Sequence, residues 1–149
     1  MTGVTLRKAR STDAGTTGAI LSAFAEQTAW MPKLHTAAEA IGFCGQMIER
    51  GWVDVAEQEG KVCGFIARDG AEINALYLAP EAQGQGIGTA LLQQAQRASA
   101  SLNLWTFQAN TGAQRFYKRH GFVEAERTDG ARNEEKLPDI RLIWNKDAS

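Results

Sequence analysis

Cysteine is nearly missing from this chain. Cys44 and Cys63 are the only two in 149 residues, one in a helical pattern and one in a strand-like pattern. They read as buried free thiols of a reducing cytoplasm, not as a disulfide framework. Histidine is as scarce. His35 and His120, with two scattered cysteines, cannot supply the ligand set that a metal site needs. An excess of either charge is also lacking: 16 basic and 17 acidic residues leave −1. Nothing therefore suggests a nucleic-acid groove or a charged membrane-binding surface. No apolar run approaches the ~20 residues of a membrane-spanning helix. The polar start, MTGVTLRKARSTD, has no apolar signal-peptide core. What remains is a chain with 44% hydrophobic residues, enough for one core, and a length that suits one domain over residues 1–149.

The rest is organised around residues 73–92, INALYLAPEAQGQGIGTALL. Ile73, Ala75, Tyr77 and Ala79 fall on one strand face, with Asn74, Leu76 and Leu78 on the other. Pro80 stops the strand. Gly84, Gly86 and Gly88 then crowd into five residues, and Ile87, Leu91, Leu92 and Ala95 recur at helical spacing behind them. A glycine turn opening a helix presents unpaired N–H groups at the positive end of the helix dipole, which suits a phosphate group. A P-loop would need Gly-Lys-Ser/Thr, and Gly88-Thr89 has no lysine. A dinucleotide fingerprint would need its third glycine one residue later than Gly88.

On either side the pattern alternates between strands and helices. Residues 4–9 read as an edge strand. Ser11, Thr12 and Asp13 are good caps for a first helix that reaches about Thr28, with Ile20, Leu21, Phe24 and Ala25 as its apolar stripe. Residues 29–35 form a loop rich in apolar side chains, suited either to the core or to a pocket wall. Thr36-x-x-Glu39 is a capping box, and Ala40, Ile41, Cys44, Met47 and Ile48 make the inner face of the second helix. Residues 52–57 and 61–68 read as a hairpin about Glu59-Gly60, with a second hairpin turn at Asp69-Gly70. Residues 102–108 form the strand after the central helix. A short helix follows from Thr111 to His120, then strands at 122–127 and 140–144. Between the last two strands lies a charged loop, whose Glu134, Glu135 and Asp139 could face a cationic amine, although a solvated loop is the commoner use. Trp105 and Phe107 share a face of a central strand, which favours core packing, with a pocket wall shared with Trp30 as the other use.

Gln83, Gly86 and Gly88 meet the pattern Q-x-x-G-x-G. Asn110-x-x-Ala113-x-x-Phe116-Tyr117-x-x-x-Gly121-Phe122 follows downstream. With these two motifs in this order the sequence resembles the GNAT superfamily of acyl-CoA-dependent N-acetyltransferases. The likeness extends over nearly the whole chain; the N-terminal helices match only in type. It implies an α/β fold, with a central mixed, twisted sheet of six to seven strands and about four helices on both faces. It also implies acetyl-CoA as co-substrate, no metal, and direct transfer to a primary amine of a small molecule or peptide in a ternary complex. The alternatives are a non-catalytic acyl-CoA-binding module on the same fold, or transfer of another acyl group. A homodimer is plausible in such a family, and no sequence feature decides it.

The resemblance also assigns roles to residues. The backbone of Gln83, Gly84, Gln85, Gly86, Ile87, Gly88 and Thr89 would wrap the pyrophosphate of coenzyme A. The fourth strand, near Leu76, Tyr77 and Leu78, would offer a backbone N–H to the thioester carbonyl. Asn110, in one motif with Ala113, would hold the pantetheine or pyrophosphate region, or else simply cap the helix it precedes. Tyr117 matches the general acid that protonates the departing thiolate; its ordinary pKa of ~10 keeps it protonated at neutral pH. A lysine-like amine, with pKa ~10.4, must lose a proton before it attacks. Glu72, eleven residues before Gln83, matches a base found in histone-modifying members. Asn74 on the same strand could hold a water.

Overall fold

The computed structural model describes residues 3–147. Seven strands form one sheet: β1 (Val4–Lys8), β2 (Val53–Gln58), β3 (Lys61–Asp69), β4 (Glu72–Leu78), β5 (Ser101–Phe107), β6 (Val123–Thr128) and β7 (Asp139–Asn145), in the spatial order β1-β2-β3-β4-β5-β7-β6. The helices are α1 (Ala14–Gln27), α2 (Ala37–Glu49), α3 (Ile87–Arg97) and α4 (Thr111–Arg119). Every neighbouring pair of strands runs antiparallel except β4 and β5, which run parallel. The mixed sheet and four helices anticipated from the motifs are both present.

The helices divide between the two sheet faces, and adjacent residues of β3 show how. Successive strand side chains point to opposite faces. Phe65 meets the ring of Tyr77 at 6.1 Å, and Tyr77 meets Phe24 of α1 at 5.0 Å. Its neighbour Gly64 lies under Leu78 and Ile87, the first residue of α3. So α1 covers one face and α3 the other. α2 packs on α1 where Gly18 meets Ile41; a Cβ at Gly18 would stand 2.6–2.8 Å from Ile41 atoms. α4 packs on α3 through Phe116 and Gly88. Ile87, Leu91 and Leu92 of α3 are fully buried, worth roughly 1.5–3 kcal/mol each relative to exposure.

Two local readings change. Ser11–Asp13 is a short 3-10 turn, and α1 begins only at Ala14. Asp13 stands at the N-cap position of α1, but its side chain makes no capping bond to that helix. Its carboxylate accepts from the Arg10 N–H at 2.7 Å and pairs with Arg7 at 2.8 Å, while Arg7 also holds Glu57 of β2 at 2.9 Å. That pairing closes the turn against the edge of the sheet. On α2, Ala40, Cys44, Met47 and Ile48 are buried as the periodicity predicts, but Ile41 is 40% exposed; it lies on the flank that meets Gly18. The capping box of Thr36 and Glu39 forms as expected, and both cysteines are free and buried. Among the described residues no helix is long and apolar enough to cross a membrane.

Candidate acyl-transfer site

The site begins where the sheet comes apart. β4 and β5 share one residue pair, Glu72 with Asn103, beside a hydrogen bond from Asn103 N to Ala71 O of 2.8 Å. Beyond it the two strands separate and leave a cleft lined by residues 73–77 of β4, Leu104, Trp105 and Thr106 of β5, and Asn110, Ala113 and Tyr117. Along the other edge of β4 the ladder to β3 pairs Arg68 with Ile73 and Ala67 with Ala75, which leaves Asn74 as a bulge. A bulge breaks the ladder and re-aims its side chain.

The glycine turn lies at the end of β4. Gly84 and Gly86 have φ of +78° and +82°, and a Cβ on either would meet no atom within 4 Å. The backbone is therefore open to an approaching group on that side, in a conformation glycine adopts without cost. The first main-chain bond of α3 is Ala90 N to Gly86 O, at 3.0 Å. The N–H groups of Ile87, Gly88 and Thr89 are then orphans of the helix start. Gln83, Gly84, Gln85 and Gly86 are exposed, Ile87 and Gly88 are buried, and Thr89 Oγ1 lies 3.2 Å from His120 Nε2. These are the features of a cradle for a phosphate group.

α4 joins the turn to the cleft. Asn110 caps it, with Oδ1 accepting the Ala113 N–H at 3.1 Å, and it also lines the cleft. Tyr117 is buried at 7% exposure, its ring set against Phe116 at 5.2 Å and Phe122 at 5.3 Å. Its hydroxyl makes no hydrogen bond among the described residues. Burial pushes its pKa well up from the ordinary tyrosine value, so at neutral pH it is a protonated donor without an internal acceptor.

A second cavity, of about 620 Å³, opens on the α1 side. Its walls are Leu21, Ser22, Phe24 and Ala25 of α1, residues 31–35 of the following loop, Glu39, Ala40, Gly42, Phe43 and Gln46 of α2, and Glu134 and Glu135 of the loop between β6 and β7. Asn74, Ala75 and Tyr77 line both this cavity and the cleft. The apolar loop after α1 is thus a pocket wall. The charged loop covers the pocket, although solvation was its commoner expected use. Asp139 is spent inside that loop, holding Thr128 and Asn133. Trp105 does not pack in the core: it is 42% exposed and lines the cleft, where β4 has parted from β5. Trp30 and Phe107 meet edge to face at 5.7 Å. Glu72 stands exposed at the start of β4 and lines neither cavity.

The sequence used Tyr77 only for its backbone, and placed His35 in the pocket-wall loop without giving its side chain a partner. Tyr77 lines both cavities, and His35 Nε2 lies 2.6 Å from Glu134 Oε1 at the rim. Glu134 raises the His35 pKa. No local pattern announces the His35–Glu134 contact or the exposure of Tyr77 to both cavities, since each depends on segments far apart in the chain.

The family model of the acetyltransferase (GNAT) domain matches residues 48–124. The chain belongs to the GNAT acetyltransferases. The matched stretch holds the glycine turn, the cleft and Tyr117. Most walls of the larger cavity lie outside it. The chain is 39% identical over 93 residues to the peptidyl-lysine N-acetyltransferase YiaC of Escherichia coli, covering 60% of this chain and 61% of YiaC. It is 33% identical over 93 residues to the peptidyl-lysine N-acetyltransferase YjaB of Salmonella typhimurium, covering 62% and 63%. With an uncharacterized N-acetyltransferase of Methanocaldococcus jannaschii it shares 38% over 92 residues, 51% of this chain and 41% of that protein. The chain therefore spans less than two thirds of the length of each of these relatives. The fold superposes on the apo form of YjaB from Escherichia coli with a TM-score of 0.79 at 22% identity, covering 95% and 97% of the two chains. It superposes on YncA of Salmonella typhimurium, solved with its cofactor acetyl-CoA, with a TM-score of 0.74 at 18% identity, covering 99% and 96%.

Proposed function

We propose that this GNAT chain is an N-acetyltransferase that moves the acetyl group of acetyl-CoA onto a primary amine of a small molecule or peptide. The observation that carries this reading is the double-sided wall of β4. Asn74, Ala75 and Tyr77 face a cleft with a phosphate cradle at one end, and also an apolar cavity large enough for an acceptor. An acyl donor and an amine held on the two sides would meet at the bulge, where proximity replaces a bimolecular encounter. The peptidyl-lysine activity named for YiaC and YjaB supports a lysine-type amine.

Bound acetyl-CoA would supply the reactive thioester; the chain supplies placement and protons. The open turn at Gly84 and Gly86, and the free N–H groups of Ile87, Gly88 and Thr89, fit its pyrophosphate. Asn110 Nδ2 has no partner among the described residues and is free to hold the pantetheine arm. Main-chain groups of β4 from Leu76 to Leu78, released from β5, offer N–H donors toward charge developing on an acyl oxygen. Tyr117 donates its proton to the leaving sulfur. Glu72, exposed at the start of β4, takes the amine proton through a water that Asn74 holds at the bulge.

The test is a panel of primary amines incubated with acetyl-CoA and a thiol reagent. Amine-dependent release of free CoA is expected. Tight acetyl-CoA binding without release on any amine would replace this reading with a non-catalytic acyl-CoA-binding module.

A further inference from the structure

Besides Tyr77, five ionisable side chains line the larger cavity: Lys33, His35, Glu39, Glu134 and Glu135. Four of them are engaged or stand at the rim. Glu39 Oε1 accepts the Thr36 N–H at 2.8 Å in the cap of α2. Glu134 lies 2.6 Å from His35. Lys33 and His35 are exposed. Glu135 is half-buried and makes no ion pair or hydrogen bond among the described residues.

The loop is built to hold it there. At Gly130, with φ of +84°, a Cβ would stand 2.1 Å from Leu137 O, so the loop closes on itself at glycine. Asn133 donates to Leu137 O at 2.7 Å and to Asp139 Oδ2 at 3.2 Å, and accepts the Leu137 N–H at 3.2 Å. Lys136, at φ of 56°, sends its Nζ to Ala131 O at 2.8 Å, not to its neighbour Glu135. Across the cavity stands Tyr77. Burial raises its phenol pKa to about 12, and the Glu135 charge is the next cause. Between them the walls are apolar: Leu21, Phe24, Met31 and Phe43.

We propose that Glu135 selects the acceptor: the site takes a primary ammonium on an apolar stem and discriminates against amines with a carboxylate beside the nitrogen. A carboxylate with no ion-pair or hydrogen-bond partner of its own, on a largely apolar wall, stabilises a cation and opposes a second carboxylate. A carboxylate or peptide chain a stem's length away would reach the rim, where Lys33 and His35 stand. The acceptor class is thus an ω-amine, such as a lysine side chain, in preference to an α-amino acid. This inference rests on the acetyltransferase reading above.

The test is steady-state kinetics at saturating acetyl-CoA, with n-pentylamine, with norleucine (the same stem carrying an α-carboxylate) and with an arylamine uncharged at neutral pH. Wild type is expected to favour n-pentylamine over norleucine. Glu135→Gln is expected to raise KM for n-pentylamine at least about tenfold, with kcat within about twofold, and to narrow the gap to norleucine. The arylamine KM and the calorimetric acetyl-CoA affinity should stay at wild-type values. Glu134→Gln should raise the n-pentylamine KM by less. An unchanged n-pentylamine KM in Glu135→Gln, an equal rise for the arylamine, or a loss of acetyl-CoA affinity overturns the Glu135 assignment alone. No CoA release by wild type on any amine overturns the acetyltransferase reading as well.

Discussion

At the scale of single residues, Tyr117 and Glu72 make opposite demands on the structure. Tyr117 is buried in the cleft with a free hydroxyl, so Tyr117→Phe removes one oxygen and no internal hydrogen bond. The fold and acetyl-CoA affinity should be preserved. Turnover should fall by about 10²-fold, the lower end for general acid catalysis, because a thiolate is a tolerable leaving group. Pre-steady-state kinetics would check that chemistry limits; a wild-type chemical rate in the variant removes Tyr117 from the acid role. Glu72 is exposed and outside both cavities, so its proposed role as base needs an intervening water. Glu72→Gln should slow acetylation of a high-pKa amine at neutral pH and recover partly as pH rises, since bulk deprotonation then replaces the side chain. A pH–rate profile superimposable on wild type would count against Glu72 and leave Asn74 with a water chain. Asp13 concerns stability instead. Arg7 holds its carboxyl below the usual range, by hydrogen bond first. A depressed folded pKa contributes stability above the unfolded pKa of about 3.9, and that stability is lost as pH falls through the folded value. Asp13→Asn should therefore cost about 2 kcal/mol at neutral pH. Chemical denaturation should show the gap to wild type closing below about pH 4.

At the scale of elements, the turn between β4 and α3 was the most legible part of the sequence. Glycine there answers a local requirement, a left-handed backbone with nothing above it, and that requirement is written in consecutive residues. Gly86→Asp adds a Cβ at φ of +82° and a carboxylate where the pyrophosphate would lie. Acetyl-CoA affinity measured by calorimetry should fall at least about tenfold, near 1.4 kcal/mol; unchanged affinity in a folded variant would contradict the phosphate reading. The cap of α2 and the Glu59-Gly60 turn, with φ of 54° and 75°, were legible for the same reason. The bulge at Asn74 was not. It arises from how β3 and β4 align, and the alternating pattern of β4 gives no sign of an extra residue.

At the scale of the whole molecule, the cleft exists because β4 and β5 pair at one end and separate toward the other. A ligand that bridges them should tie two halves of the sheet together. Saturating with acetyl-CoA at about a hundred times its Kd should stabilise the native state by about 2.7 kcal/mol. For a chain of this size that is a rise in Tm of about 5–10 °C, readable by calorimetry. No shift at that concentration would mean that acetyl-CoA does not bind the folded state in preference to the unfolded chain. The sequence by itself determined the order of strands and helices, the glycine turn and the two motifs, because each depends on periodicity, caps or glycine within a short span. Only the tertiary structure decided that Trp105 lines a cleft and not the core, that Glu72 stands outside both cavities, and that Glu135 and Tyr77 face one pocket. Those outcomes depend on which strands part and which distant loops fold over them, and a side chain's neighbours across the fold leave no local signature.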